Sequence, residues 1–501
     1  MEIGKIYDSM IATHKKISRM EQVVSLLFWD EQVNMPAKGI DARSEQLALL
    51  TGEIHRDRTS KRFVGMVNEL AAASESLTED QRVNVREIKK SLDKIIKVPR
   101  RLVEELTRHT AKSHMAWAKA REAKKFEMFV PSLTRMLELK KQEALAKADP
   151  GKGIYDTLLD DFEPGLDEAS AAAILEDLRG RLVPLVHKIL SAPAPSFPPL
   201  VGRSFPVDVQ RAFGLKLIRD IGFDFGAGRQ DVSLHPFCTG DYGDVRITTR
   251  FFDDDLRPSL FGMLHEAGHA LYEQGTDPAH SLTPLGSSLS LGVHESQSRM
   301  WENLVGRSLP FWKAYYADLQ TAFPLALSDV SMDAFHRFVN QVQGSLIRVE
   351  ADEATYNLHI ILRFEVERDL FAGRLPVKDL PETWNRKMKE FLDVEVPDDA
   401  QGVLQDIHWS EGLFGYFPTY TLGNLFGAQL YEAVSAKIPD LPQMFENRQF
   451  EPLLSWLREN VHRMGKRYSA TELVRRATGK EPTAAPFIKY LETKFGEIYR
   501  L

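Results

Sequence analysis

His265, Glu266 and His269 stand in the order histidine, glutamate, two spacers, histidine within GMLHEAGHALYEQG, residues 262–275. On a helix, positions four apart share a face and lie about 6 Å apart along the axis, so the two imidazoles can converge on one ion at about 2.0–2.1 Å. Glu266 then sits beside that ion, where its carboxylate can take a proton from a water attacking a carbonyl. The bland alternative is a charged surface helix, and the five-residue match arises by chance in roughly 3% of chains this long.

Two features weigh against that alternative. LFGML before the motif and ALY after it are apolar, which puts the helix inside the protein, where unpaired polar groups are costly. Gly268 costs the helix about 1 kcal/mol relative to alanine, which a second backbone or a ligand passing close by would explain.

A tetrahedral catalytic zinc needs a third protein ligand and an open position. Glu273 lies about 12 Å along the axis from His265, too far to share its ion. A longer three-histidine pattern would need histidine at 275, where this chain has Gly275, and glycine at 272, where it has Tyr272. The next helix is read from GVHESQSRMWENLVGR, 292–307, and Glu295 near its start is the candidate ligand. Its alternative role is an ion pair with Arg299 one turn on, and His294 is a weaker alternative ligand.

The elements that must position these groups are mostly helices. Apolar residues recur at three and four spacing from residue 1 to about 190, as in FVPSLTRMLELKKQEALAKA. SAPAPSFPPLVGRSFP, 191–206, is too rich in proline to continue a helix and is the candidate boundary if the single 1–501 domain divides into two lobes. DVSLHPFCTGDYGDVRITTRFF, 231–252, is β-branched and aromatic with Gly240 and Gly243 at turns, so a hairpin or three-stranded sheet is expected there. Helical patterning then runs to Leu501, broken at PAHSLTPLGSS and EGLFGYFPTYTLG.

Composition narrows the classes. With 501 residues, 43% hydrophobic and 27% charged, the chain can bury a large core. Its 64 basic and 71 acidic residues are mixed, giving a net charge of −7 and no field that would favour nucleic acid or an anionic membrane. The start lacks a signal-length apolar stretch and no run has membrane-spanning length, so a cytoplasmic protein is expected. The single cysteine, Cys238, excludes internal disulfides and reads as a small buried apolar side chain.

Ordered pieces along the chain resemble the carboxypeptidase Taq family of zinc carboxypeptidases. They are LLFWDEQVNMPAKGIDARSEQLA near the start, YDTLLDDFEPG, HPF at 235, DVRITT at 244, HEAGH at 265, HESQ at 294, IRVEAD at 347, GVLQDIHW at 402 and FPTYTLGNLFGAQLYEA. The resemblance implies a mostly helical, grooved fold similar to neurolysin and angiotensin-converting enzyme, with a small sheet near the active site. It implies one zinc per chain, with cobalt able to substitute, held by His265, His269 and Glu295, and Glu266 as general base and then proton donor. It also implies a homodimer acting on peptides. Many members of the wider clan carry an acidic residue four after the ligand glutamate; here that position is Arg299, and the carboxylates that orient the histidines are unassigned.

Removal of C-terminal residues needs a group for the free carboxylate, and Arg348 is the candidate because a guanidinium pairs bidentately with a carboxylate. Its alternative is a pair with Asp352 on the same helix. His235, His408 and Tyr420 are read as lying outside regular helices and as hydrogen-bond donors to substrate, Tyr420 foremost by analogy with related peptidases. Trp409, Phe414 and Phe417 read as packing. The expected activity is a zinc carboxypeptidase of broad specificity; an oligoendopeptidase of similar fold is the second reading, and a non-catalytic helical peptide-binding protein the third.

Overall fold

Long helices that each bury one stripe need other helices to cover them, and the chain meets that need by stacking helix on helix around two large cores. The computed structural model describes residues 3–501. Helices begin where the sequence offers caps: Glu79–Lys97 starts at Thr78, whose hydroxyl accepts from the Gln81 amide while the Gln81 side chain reaches back, and it buries Val83, Ile88 and Leu92. Among the described residues no helix is long and apolar enough to cross a membrane.

Five helices position the motif residues and their partners: α1 (Ile154–Phe162), α2 (Arg257–Gly275), α3 (Leu291–Arg299), α4 (Tyr356–Phe371) and α5 (Pro418–Lys437). The motif helix is α2, and a six-residue π turn, Met300–Val305, continues α3. Between α1 and α2, the helix Glu168–Ser191 ends at the proline-rich stretch, whose Leu200 and Phe205 are buried.

The expected sheet forms. Strands β1 (Gly228–Val232), β2 (Cys238–Asp241) and β3 (Asp244–Thr249) lie in the order β1-β3-β2, with β1 parallel and β2 antiparallel to β3. Arg229 and Arg246 are register partners, and both guanidiniums lie over Trp29, at 4.9 and 4.2 Å from its ring centroid. Those contacts dock the first helix, Ile3–Val33, onto the sheet. Cys238, expected buried, is half-buried against the core beside the sheet.

Helix α5 stands between the two cores: Leu422, Phe426, Leu430 and Val434 face one, Leu425 and Ala428 the other. Its Gly423 and Gly427 let α3 approach closely. A Cβ on Gly423 would fall 2.5 Å from Glu295 Cγ, and one on Gly427 would fall 3.0 Å from the Ser296 carbonyl. On the opposite side a Cβ on Gly268 would meet Ser298 Cα at 2.6 Å, so the motif glycine does admit a second backbone. Short polar side chains complete the fit: Ser296, Gln297 and Ser298 are fully buried, and Ser296 and Ser298 bond to the carbonyls of Val293 and Glu295 within their own helix.

Gly423→Ala should therefore destabilise the protein by about 1–3 kcal/mol, the range for overpacking a core, and weaken metal retention by displacing Glu295. Gly65→Ala, with open space around its Cβ in the helix Lys61–Ala72, serves as the control and should be neutral or stabilising. Calorimetry and metal analysis on both variants would check this; equal melting temperatures would show that the α3–α5 contact tolerates a methyl group.

Candidate active site

One helical turn on α2 places His265 and His269 side by side, their rings 4.9 Å apart and nearly perpendicular. From α3, Glu295 Oε2 approaches both, 3.7 Å from His265 Nε2 and 3.5 Å from His269 Nε2. A tetrahedral ion with bonds of about 2.0–2.1 Å separates its ligand atoms by about 3.4 Å. The three groups therefore fit a metal with little movement, and all their donor atoms lie within 4.8 Å of one another.

Each histidine is held from behind. His265 Nδ1 is 2.9 Å from Glu302 Oε2, a carboxylate supplied by the π turn. His269 Nδ1 meets His294 Nδ1, and His294 Nε2 lies 2.8 Å from Glu273 Oε1. Since Glu273 accepts from His294 Nε2–H, His294 Nδ1 is the acceptor and His269 Nδ1 the donor. Both Nε2 lone pairs are thereby turned toward Glu295. His294 lies behind His269 and is engaged at both ring nitrogens. Glu273 is equally occupied.

Arg299 makes the i,i+4 pair considered for Glu295, with Nε donating to Oε1 at 2.7 Å. The pair engages only one carboxylate oxygen and leaves Oε2 facing the histidines. Arg299 also donates to Glu302 at 3.1 Å, so one buried guanidinium offsets two carboxylates. Burial opposes charge on Glu295, but Arg299 and the two histidines outweigh it and hold its pKa well below the usual range. Glu266, with no such partner, is pushed by burial to about 7, Glu295 adding to the effect and His265 opposing it. Burial, reinforced by His294, holds His269 down to about 3.

Glu163, which lies in the YDTLLDDFEPG piece but is given no role by the sequence, anchors α3 at its start. Its Oε2 accepts from the Gly292 amide at 2.8 Å, while Ser290 caps the helix by accepting from Val293. Burial raises Glu163 to about 7. A glutamate between a phenylalanine and a proline at the end of α1 carries no periodic signal.

A second cluster surrounds Arg348. The alternative pair with Asp352 does not form: Arg348 sits in a 3₁₀ turn, Arg348–Glu350, and α4 begins only at Tyr356. Asp352 accepts instead from the amides of Gln343, Ala354 and Thr355 ahead of that helix, so its geometry is that of a cap. Arg348 directs Nε and Nη2 to Asp406 Oδ1 at 3.0 and 2.8 Å, and Nη1 to the Tyr356 hydroxyl at 3.2 Å. Arg363 on α4 takes Asp406 Oδ2 at 2.7 Å and Gln405 at 2.8 Å. Two buried guanidiniums share one carboxylate, leaving one positive charge in excess.

Tyr420 lies 5.2 Å beneath the Arg348 guanidinium. It belongs to the first turn of α5 and not to a loop as expected, because Pro418 at the helix start has its φ already set. His408 lies tilted against Phe417 with ring centroids 4.5 Å apart, its buried Nδ1 makes no hydrogen bond and stands 3.9 Å from Asp406 Oδ1, and burial lowers it to about 4. Trp409, Phe414 and Phe417 are buried. His235 is exposed between β1 and β2, and among the described residues no hydrogen bond or ring contact ties its imidazole to the other candidates. Tyr356 joins the two clusters: Arg299 lies 4.5 Å over its ring while its hydroxyl accepts from Arg348.

A centre of this kind in an almost wholly helical chain is that of a metallopeptidase. Comparison narrows the class: the model of the carboxypeptidase Taq (M32) metallopeptidase family matches residues 9–495, and the chain belongs to that family. It is a metallocarboxypeptidase. Thermostable carboxypeptidase 1 of Thermus thermophilus is 41% identical over 505 residues, covering 98% of this chain and 99% of that one. Carboxypeptidase 1 of Bacillus subtilis is 36% identical over 502 residues, covering 100% of both. The crystal structure of the M32 carboxypeptidase from Deinococcus radiodurans matches with a TM-score of 0.96 at 40% identity, covering 99% of this chain and 100% of that one.

His294→Ala and Glu302→Ala should each weaken metal binding about 10- to 100-fold, the usual consequence of losing a group that orients a ligand. Titration against a chelator of known affinity would measure it, and unchanged affinity in both variants would mean that the histidines are oriented by other contacts. Glu163 gives a pH signature. A carboxyl at about 7 in the fold and near 4.5 when unfolded binds its proton more tightly in the native state, so its contribution to stability is lost as pH rises between those values. The melting temperature of Glu163→Gln relative to wild type should therefore climb from pH 5 to pH 8; a difference constant with pH would show that Glu163 keeps an ordinary pKa.

Proposed function

We propose that the chain is a zinc carboxypeptidase that removes single residues from peptide C-termini with broad side-chain tolerance, with His265, His269 and Glu295 as the metal ligands. The observation that carries this reading is the convergence of two Nε2 lone pairs and one carboxylate oxygen beside a fourth, unengaged group, Glu266. When bound, zinc supplies a Lewis acid for the scissile carbonyl and acidifies water. Glu266 accepts the proton of the attacking water and delivers it to the leaving amine. Its elevated pKa suits both halves of that transfer.

The excess positive charge of the Arg348, Arg363 and Asp406 group favours a substrate that brings a carboxylate, which is why we place exopeptidase action ahead of the oligoendopeptidase reading. Tyr420 and His408 line the same group and can donate to the substrate carbonyl or the developing oxyanion; His235 is the weakest of the three. A cytoplasmic homodimer fits the single cysteine and the family resemblance.

One set of kinetics tests the reading. Glu266→Gln, loaded with metal, should lose about 10²–10⁴-fold in kcat, the usual worth of a general base. Arg348→Ala should lose about 2–5 kcal/mol in kcat/KM on free-acid peptides and much less on the same peptides amidated at the C-terminus. Near-normal turnover by Glu266→Gln removes it as the base, and equal losses on acid and amide would move the endopeptidase reading ahead.

A further inference from the structure

Helix α4 carries two opposite charges one turn apart, Arg363 and Glu367, both fully buried and neither bonded to the other. Each reaches the same stretch of chain. Arg363 binds Gln405 and Asp406, and Glu367 binds Trp409 and Gly415. Residues 405–417 contain turns and no helix or strand, and the backbone bonds that close those turns do not include Asp406.

The bonding of Glu367 uses both carboxylate oxygens. Oε1 accepts from the Trp409 indole at 2.8 Å, and Oε2 accepts from the Gly415 amide at 2.8 Å and from the Tyr155 hydroxyl at 2.9 Å. An amide cannot replace it, because its NH2 end would face either the indole N–H or the Gly415 N–H, both of which only donate. Burial raises Glu367 to about 7 even though the Gly415, Trp409 and Tyr155 donors pull it down, so the carboxylate depends on all three. Gly415 is held from the other side as well. It has φ +81°, and a Cβ there would meet the Leu158 main chain of α1 at 2.7 Å. The loop is thus wedged between α1 and α4, with Tyr155 and Glu367 closing the wedge.

We propose that Glu367, assisted by Tyr155, is a positioning residue for C-terminal carboxylate recognition: it pins the 405–415 loop so that Asp406 aims Arg348. This role rests on Arg348 being the anchor for the substrate carboxylate, as proposed for the reaction. Glu367 touches neither the metal group nor Arg348. Its effect passes through the loop: with the far end pinned at Trp409 and Gly415 and the near end at Arg363, Asp406 has one position from which to hold both guanidiniums. Losing the far pin leaves the fold and the metal centre in place and blurs the aim of Arg348.

The test compares metal-loaded Glu367→Gln, Tyr155→Phe and Arg348→Ala on one blocked peptide as free acid and as amide, with KM and kcat determined separately and metal content measured. Glu367→Gln should raise KM for the acid about tenfold, equivalent to roughly 1.4 kcal/mol, with kcat changed little, the amide unaffected and metal stoichiometry unchanged. Tyr155→Phe, which removes one donor of three, should show the same pattern to a smaller degree, and it carries the comparison if Glu367→Gln fails to fold. If Arg348→Ala separates acid from amide and the other two variants do not, the loop clamp is wrong while the role of Arg348 stands. If Arg348→Ala does not separate them, that role fails and the clamp fails with it.

Discussion

The close approach of α3 to two other helices is the constraint on which the rest of the structure depends. Glu295 reaches the histidines only because the α3 backbone lies against α2 at Gly268 on one side and against α5 at Gly423 and Gly427 on the other. Any side chain at those positions would push the backbones apart by more than a metal–ligand distance can absorb. The short, internally bonded side chains of Ser296 and Ser298 serve the same end, since they satisfy their hydroxyls without needing room for partners.

That approach brings charges into a dry interior, and the structure balances them locally. Arg299 offsets Glu295 and Glu302 together: it takes Oε1 of Glu295, leaving Oε2 facing the histidines, and it shares Oε2 of Glu302 with His265. At position 299 the arginine neutralises, and the carboxylate behind His265 comes one turn later from the π segment. On the other histidine, the orienting group is a second imidazole backed by Glu273. The Arg348 cluster is left one positive charge in excess, which a substrate carboxylate would complete in the proposed reaction. Tyr356 couples the two arrangements by touching an arginine of each, so one ring at the start of α4 bridges the histidine cluster and the Arg348 cluster.

With Glu295 named only as a candidate that packing had to bring beside the histidines, the sequence by itself determined the helical class, the sheet near 231–252, the placing of His265, Glu266 and His269 on one helix, and the meaning of Gly268. Each is a local property, because spacing on a helix, strand propensity and the cost of a glycine are decided within a few residues. Gly423 and Gly427, four apart and equally costly in a helix, carried the same signal and could have been read the same way. Only the tertiary structure decided the partners: Glu302 behind His265, His294 and Glu273 behind His269, Glu163 at the head of α3, and Asp406 in place of Asp352 beside Arg348. It also decided that Tyr420 belongs to a helix: the break expected over EGLFGYFPTYTLG ends at Phe417, and α5 starts at Pro418. Charged groups separated by tens to hundreds of residues leave no periodic trace in a chain. Their pairing follows from which backbones can pack closely enough to bury them together, and that is a property of the whole fold.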